Sequence, residues 1–323
     1  MTRPTVPLLT ALLLALPLSL LAGRGWIDPF HPAIPNAGVI LAELRLPRGI
    51  LALIVGAGLG GAGAAMQGYL RNPLADPGLF GIAPGAALGA VLALAFGATA
   101  TYALPLAALI GAGGAMALLG MIAGHQQNSN SGGLALFTLA GMMLASLAGA
   151  LTSLVISLAP NPFALSEIVT WLMGALTDRG WHEVWLAAPP TLLGLAVLWR
   201  AGPGLDALTL GEATARSLGV EPARLQWAMI LGVGLTVGAG VAVAGIVGFV
   251  GLMVPHLVRR FTNRRPAALI VPSALAGALL LLVADALCRV LPLVTELRLG
   301  IALSLLGAPF FLVLLLRMRR GFA

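Results

Sequence analysis

Apolar runs long enough to cross a lipid bilayer recur from one end of this chain to the other, and they limit its possible folds more than any motif does. Residues 134 to 159 and 225 to 247 contain no Asp, Glu, Lys or Arg at all. Lipid offers backbone amides no partner, so only helices of about 20 residues or closed barrels can span it. The runs are rich in Leu, Ala and Gly and show no ten-residue alternation of the barrel kind. With 59% hydrophobic residues, 9% charged residues and a mean hydropathy of +1.00, the 323-residue chain has too little polar surface to cover a soluble domain. The expected fold is all-α: a polytopic membrane protein forming one transmembrane domain over residues 1–323.

Val6 to Ala22, behind Arg3, has the length of a signal peptide, but Leu20-Leu21-Ala22 lacks the small residue expected two before a cleavage point. It reads as a retained first span. Further spans are predicted near 50–69, 79–96, 104–123, 134–159, 184–199, 225–247, 249–261, 269–291 and 299–316, the eighth being too short to cross comfortably. Residues 23–49, with Trp26, Pro29, Pro32 and Pro35, read as an outer segment. All 18 basic residues are Arg. Ten spans with both termini cytoplasmic put Arg3, Arg71, Arg200, Arg216, Arg224, Arg259, Arg260, Arg264, Arg265, Arg317, Arg319 and Arg320 inside. Only Arg24, Arg45, Arg48, Arg179, Arg289 and Arg298 then lie outside, as the positive-inside rule requires.

The same features exclude several functions. A net charge of +7 would suggest nucleic acid in a soluble protein, but here it reports topology, and no nucleic-acid partner is expected. Without Lys the chain has no ordinary phosphate-loop lysine. Gly56-Ala-Gly58-Leu-Gly60-Gly61 matches a dinucleotide fingerprint by spelling but sits inside a hydrophobic span with no preceding strand. Gly56 with Gly60, Gly81 with Gly85 and Gly89, and Gly234 with Gly238 instead suit close helix packing in lipid. His182-Glu183 lacks the second histidine of a zinc protease, no metal site is read, and the lone Cys288 forms no internal disulfide.

The one extended polar interruption of the second half is Thr209 to Arg224, within a segment of about 200–224. Thr209 and Glu212 have capping-box spacing, Glu212 and Arg216 lie one turn apart, and Gly219 offers a left-handed stop. Leu210, Ala213 and Leu218 give a small apolar surface, and Pro222 suits the first turn of a second short helix. A helix of roughly ten residues is marginal alone in water, so it either lies on its own membrane domain or docks in a groove of a partner. Asn161 to Trp181 reads as an outer connection with an interfacial helix between Trp171 and Trp181. Asp285 and Arg289, four apart, form either an interfacial ion pair or part of a proton relay, though no second carboxylate lies at similar depth.

Several motifs now stand in order: Leu44-Arg-Leu-Pro-Arg48, Met66-Gln67, Asn72-Pro-Leu-Ala-Asp-Pro77, Leu210-Gly-Glu-Ala213 with Leu218-Gly-Val220, Gly248-Phe-Val-Gly-Leu252, Pro255-His256, Ala284-Asp285 and Gly307-Ala-Pro309. Together they resemble the permease family of ABC importers for ferric siderophores, haem and cobalamin, from about Ala42 to Leu316. The resemblance implies a multi-pass protein of the inner (cytoplasmic) membrane. Its implied partners are two cytoplasmic ATP-binding subunits, a second permease copy or a sister permease, and a periplasmic or lipid-anchored binding protein. ATP and Mg would bind the ATPase, and this chain would bind no cofactor and be no enzyme. Thr209, Leu210, Gly211, Glu212, Ala213, Arg216, Leu218 and Gly219 would then couple to the ATPase, with the glycine seven after Glu212, as suits the large-chelate class. Arg45, Arg48 and Arg289 would receive the binding protein. Asn72, Pro73, Asp76, Pro77, Pro255 and His256 match parts near the cytoplasmic turn and inner gate.

The expected function is import of a metal chelate, ferric siderophore first and cobalamin or haem as alternatives, by alternating access. An ion-coupled secondary transporter is the rival from another class, and it calls for a titratable residue at the midplane and broken helices in both halves. An intramembrane enzyme would need a nucleophile with a base, or metal ligands, at depth.

Overall fold

The computed structural model describes residues 4–23, 25–28, 36–98, 102–124 and 133–320. Arg3, Arg24, Pro29, Pro32 and Pro35 lie outside them. The described elements are helical: α1 (Thr5–Leu21), α2 (Ala37–Val39), a π-helical turn (Ile40–Arg45), α3 (Leu46–Tyr69), a 3-10 turn (Pro77–Phe80), α4 (Ile82–Ala95), α5 (Ala103–Gly124), α6 (Gly133–Ser157), α7 (Pro162–Leu172), α8 (Trp181–Leu208), α9 (Glu212–Ser217), α10 (Pro222–Ala244), α11 (Val250–Arg259), α12 (Pro266–Val290) and α13 (Leu299–Arg320). Seven of these helical stretches are long and apolar enough to cross a membrane, and α1, α4, α7 and α11 are shorter apolar helices.

α3 is the axle of the bundle, packed on α8, α10, α11 and α12. Glycine makes that possible. A Cβ on Gly56 would collide with the Gly277 carbonyl, and one on Gly60 with that of Ser273, so α3 and α12 touch backbone to backbone. The four-residue spacing of Gly56 and Gly60 is met by the same spacing of Ser273 and Gly277 across the contact.

Along α3, Arg48 and Gln67 are nineteen residues apart, roughly 29 Å of helix. Along α12, Arg265 and Asp285 are twenty apart, roughly 30 Å. Both helices thus carry polar groups about one hydrocarbon thickness apart. They define two ends of the molecule, called here the clamp end (Arg48, Asp285) and the α9 end (Gln67, Arg265).

Four sequence expectations change. Residues 37–45 are helical and run straight into α3, so Arg45 and Arg48 sit on a helix rather than in an outer coil. α8 continues through Pro203 to Leu208, leaving only residues 209–221 between it and α10, and Pro222 opens the long α10 rather than a short helix. Trp171 is buried instead of anchoring an interface, although Asn161 does cap α7 through Ala164 N at 2.9 Å. Pro255 and His256, which by sequence end the short eighth span, lie inside α11. The ten residues of α11 reach roughly 15 Å, half a bilayer, and Gly245 to Phe249 precede it as non-helical chain. Such backbone survives at depth only when buried in protein or lining a cavity; Gly245 N, for example, donates to Val241 O at 2.9 Å and Phe249 O accepts from Met253 N at 2.8 Å.

Candidate functional site

At the α9 end, the capping box expected between Thr209 and Glu212 does not form. Because α8 runs on to Leu208, Thr209 becomes its C-terminal cap, and its hydroxyl donates back to Asp206 O at 2.6 Å. Gly211, at φ 99°, is the N-cap of α9, so Glu212 is the first helical residue and not the third. α9 therefore holds six residues, fewer than the ten expected, and no ion pair joins Glu212 to Arg216 among the described residues. The stop is as read. Gly219 sits at φ +85°, its N–H donates to Arg216 O, and Val220 N–H donates to Ala215 O, both at 3.0 Å. Those two bonds are the Schellman pattern, which satisfies the last carbonyls of so short a helix.

Only Ala215 of α9 is buried. Leu210 and Leu218 are 63% and 62% exposed. Both line a cleft of about 920 Å³ shared with Pro203 of α8 and Arg265 of the α11–α12 turn. The floor of the cleft is fixed by Asp206. Its Oδ2 accepts from Arg265, Nη2 at 2.7 Å and Nε at 3.0 Å, and its Oδ1 accepts from Ala267 N at 2.9 Å. Asp206 thus caps α12 from another helix. The sequence held a signal for this: Arg265-Pro266 opens a helix with no local capping side chain, so an acceptor must come from elsewhere.

The neighbouring turn is built by its own side chains. Asn72 Oδ1 accepts from Leu74 N at 2.9 Å, and Asp76 Oδ1 from Gly78 N at 2.7 Å, which caps the 3-10 turn at Pro77. Pro73 is half-buried beside them. Burial pushes the Asp76 carboxyl up, against the pull of the Gly78 amide. Pro77 lies against Gly251, where a Cβ would stand 2.6 Å from the ring. Gln67 then ties α3 to α11: its Nε2 donates to Leu252 O at 3.2 Å, and its Oε1 accepts from Arg259 at 2.9 Å. His256, one helical turn before Arg260, packs edge-on against Phe310 of α13 with centroids 6.0 Å apart. Sequence reading singled out Met66-Gln67 as a motif but missed what Gln67 and Arg259 do.

At the clamp end the three arginines expected to meet a partner already have partners within the chain. Arg48 donates through Nε to both Asp285 oxygens, at 3.0 and 3.1 Å, and through Nη2 to Asp285 at 2.9 Å and Glu296 at 2.9 Å. Arg289 Nε lies 3.2 Å from Asp285 Oδ2, and its Nη atoms donate to Ser19 and to Ala22 O. Arg45 donates to the carbonyls of Leu20, Leu21 and Gly25, closing the end of α1. The side chains of Arg48, Arg289 and Asp285 are 12%, 6% and 2% exposed, so the picture of freely exposed arginines gives way to a buried clamp. Burial pushes the Glu296 carboxyl up, but the Arg48 charge, hydrogen bonds from Arg48 and Thr177, and Arg289 together hold it below its ordinary value. The Asp285–Arg289 pair read from sequence is present, shared with Arg48.

A family model described as the FecCD transport family matches residues 11–317. The chain belongs to the FecCD transport family. It is 37% identical over 322 residues to the Fe(3+)-citrate import system permease YfmE of Bacillus subtilis, covering 96% of this chain and 95% of that protein. It is also 37% identical over 304 residues to the vitamin B12 import system permease BtuC of Vibrio cholerae, covering 93% and 89%. A solved structure described as an inward-facing conformation of a metal-chelate type ABC transporter superposes with a TM-score of 0.88 at 32% identity, over 97% of this chain and 98% of that one. As a FecCD member the chain is a permease of the ATP-binding-cassette importer class, a transport subunit and not an enzyme, with the ATPase a separate chain.

Proposed function

We propose that this permease carries a ferric or cobalt chelate of the siderophore, citrate or cobalamin kind across the cytoplasmic membrane, and that α9 is its coupling element. The observation that carries the reading is the pair of exposed leucines, Leu210 and Leu218, that flank a six-residue helix held between the long helices α8 and α10. Exposed apolar side chains on a charged, aqueous end favour a covering partner. A helix this short holds little of its own stability, so the Asp206 and Schellman bonds brace it. Motion forced on α9 then passes into two bilayer-long rods.

In this reading the α9 end, both termini and the Asn72–Pro77 turn face the cytoplasm. Thr209, Leu210, Gly211, Glu212, Ala213, Arg216, Leu218 and Gly219 form the contact, and two ATP-binding subunits supply ATP and Mg. Pro77 and Gln67 bear on α11, so the turn, Pro255 and His256 belong to the part of the gate nearest that contact. A second copy or a sister permease completes the pore, and a periplasmic or lipid-anchored binding protein delivers the chelate to the clamp end. There Arg45 is the most open of the three arginines, while Arg48 and Arg289 reach a partner's carboxylate only by giving up Asp285. Docking acts through steering more than tight holding, since exposed pairs contribute about 0 to 1 kcal/mol each.

Glu212→Arg tests the coupling assignment. It should leave membrane insertion intact and abolish co-purification of the ATPase; full capture with full uptake would remove α9 from the mechanism. For docking, Arg45→Glu is the clean variant, because it leaves the Arg48–Asp285 pair in place. Weaker binding-protein association at low salt is expected, and unchanged affinity would count against the clamp end.

A further inference from the structure

Between the start of α1, the end of α11 and the flank of α12 lies a groove of about 1050 Å³. Arg260, Thr262 and Asn263 stand at its mouth, and Leu8, Leu257 and Ala276 line its depth. Ala276 is ten residues into α12 from Pro266, on the order of 15 Å down the axis. The groove therefore descends from the aqueous α9 end to about the middle of the hydrocarbon layer. α1 exposes Leu13, Leu14 and Leu18 farther along, as a helix in contact with lipid does.

One arginine, Arg260, lines the groove itself, and Arg264 lines the adjoining Asp206 cleft. Four arginines fall between positions 259 and 265, and two are engaged, Arg259 with Gln67 and Arg265 with Asp206. Arg260 lies over the Phe261 ring at 4.5 Å, and among the described residues neither it nor Arg264 has a carboxylate partner. A cation above an apolar shaft of this depth matches one molecule class, with a phosphate at one end and a chain at the other. Basic pockets between helices at a membrane surface suit anionic headgroups.

We propose that this groove binds one anionic phospholipid, its phosphate at Arg260 within the field of Arg264 and one acyl chain along Leu8, Leu257 and Ala276. The lipid braces α1 against α11, whose Arg259, next to Arg260, donates to Gln67 of α3. The proposal requires only that the α9 end meets the aqueous face of a bilayer, so it stands or falls separately from the ATPase reading.

The test is lipid retention by the purified full chain, read by native mass spectrometry after equilibration with mixed phosphatidylglycerol and phosphatidylcholine. The wild type should retain phosphatidylglycerol about tenfold over phosphatidylcholine, with one tight equivalent. The double variant Arg260→Gln, Arg264→Gln should bring the ratio near one, whereas Arg224→Gln, which removes a charge elsewhere at the same end, should leave it unchanged. Ala276→Trp should empty the groove with the charges intact. Equal retention of both lipids, equal loss in Arg224→Gln, or full retention in Ala276→Trp would each overturn the site. So would displacement by millimolar glycerol phosphate, which marks a headgroup-only anion site, or complete loss of the lipid in the assembled transporter, which marks a subunit contact.

Discussion

The two ends of this permease handle charge in opposite ways. At the clamp end, Arg48, Arg289, Asp285 and Glu296 bond to one another and Arg45 to carbonyls, so that little is left over. At the α9 end, Leu210, Leu218, Arg216, Arg260 and Arg264 stand exposed without carboxylate partners among the described residues. A closed network holds helices in place, whereas an open surface awaits another molecule. Function is therefore expected to depend on the α9 end through contacts and on the clamp end through rigidity.

The largest effect that could break this contrast is Asp285→Ala. It takes the shared carboxylate from two buried guanidiniums, leaving Arg48 only Glu296 and Arg289 only Ser19 and Ala22 O, and breaking a buried pair by removing one partner costs about 3 to 5 kcal/mol. Thermal unfolding in detergent should show a large fall in midpoint; a change within error would mean the network contributes nothing. Asp206→Ala comes next, removing the cap of α12 and a largely exposed ion pair, for about 1 to 2 kcal/mol. Loss of order in the α11–α12 turn, seen as faster hydrogen exchange at Ala267, should accompany it.

Glu296 sharpens the picture through pH. Its carboxyl is held below the ordinary glutamate value of about 4.3, so its stabilisation is fully present above that pH and is lost as pH falls through the depressed value. The stability difference between wild type and Glu296→Gln should therefore shrink on acidification below about pH 4.3, and a difference that grows there would reverse the assignment. The smallest effect belongs to Leu210→Ser with Leu218→Ser. Exposed substitutions of this kind shift stability by no more than about 0.5 kcal/mol. Uptake should fail nonetheless, and retained uptake would leave the open surface without a purpose.

Much of this was legible in the chain itself. Apolar runs placed the spans, Gly56 with Gly60 marked a backbone-to-backbone crossing, and Gly219 marked the end of α9, because each is a local constraint of lipid, backbone or φ. The Arg48–Asp285 pair was not legible, since its members are far apart in sequence and either could have met a partner outside the chain. Thr209 misled for a related reason: the same hydroxyl can bond forward as an N-cap or back to Asp206, and the length of α8, set by packing, chose the second. Asp206, Gln67, Arg259 and Glu296 act across helices, where sequence spacing carries little information.

The central claim is that ATP-driven motion of another subunit reaches these helices through α9, and vesicle reconstitution tests it most directly. The permease incorporated alone, under an imposed proton or sodium gradient, should accumulate no chelate, and adding the ATPase, the binding protein and ATP should switch accumulation on. Accumulation by the permease alone under an ion gradient would contradict the account.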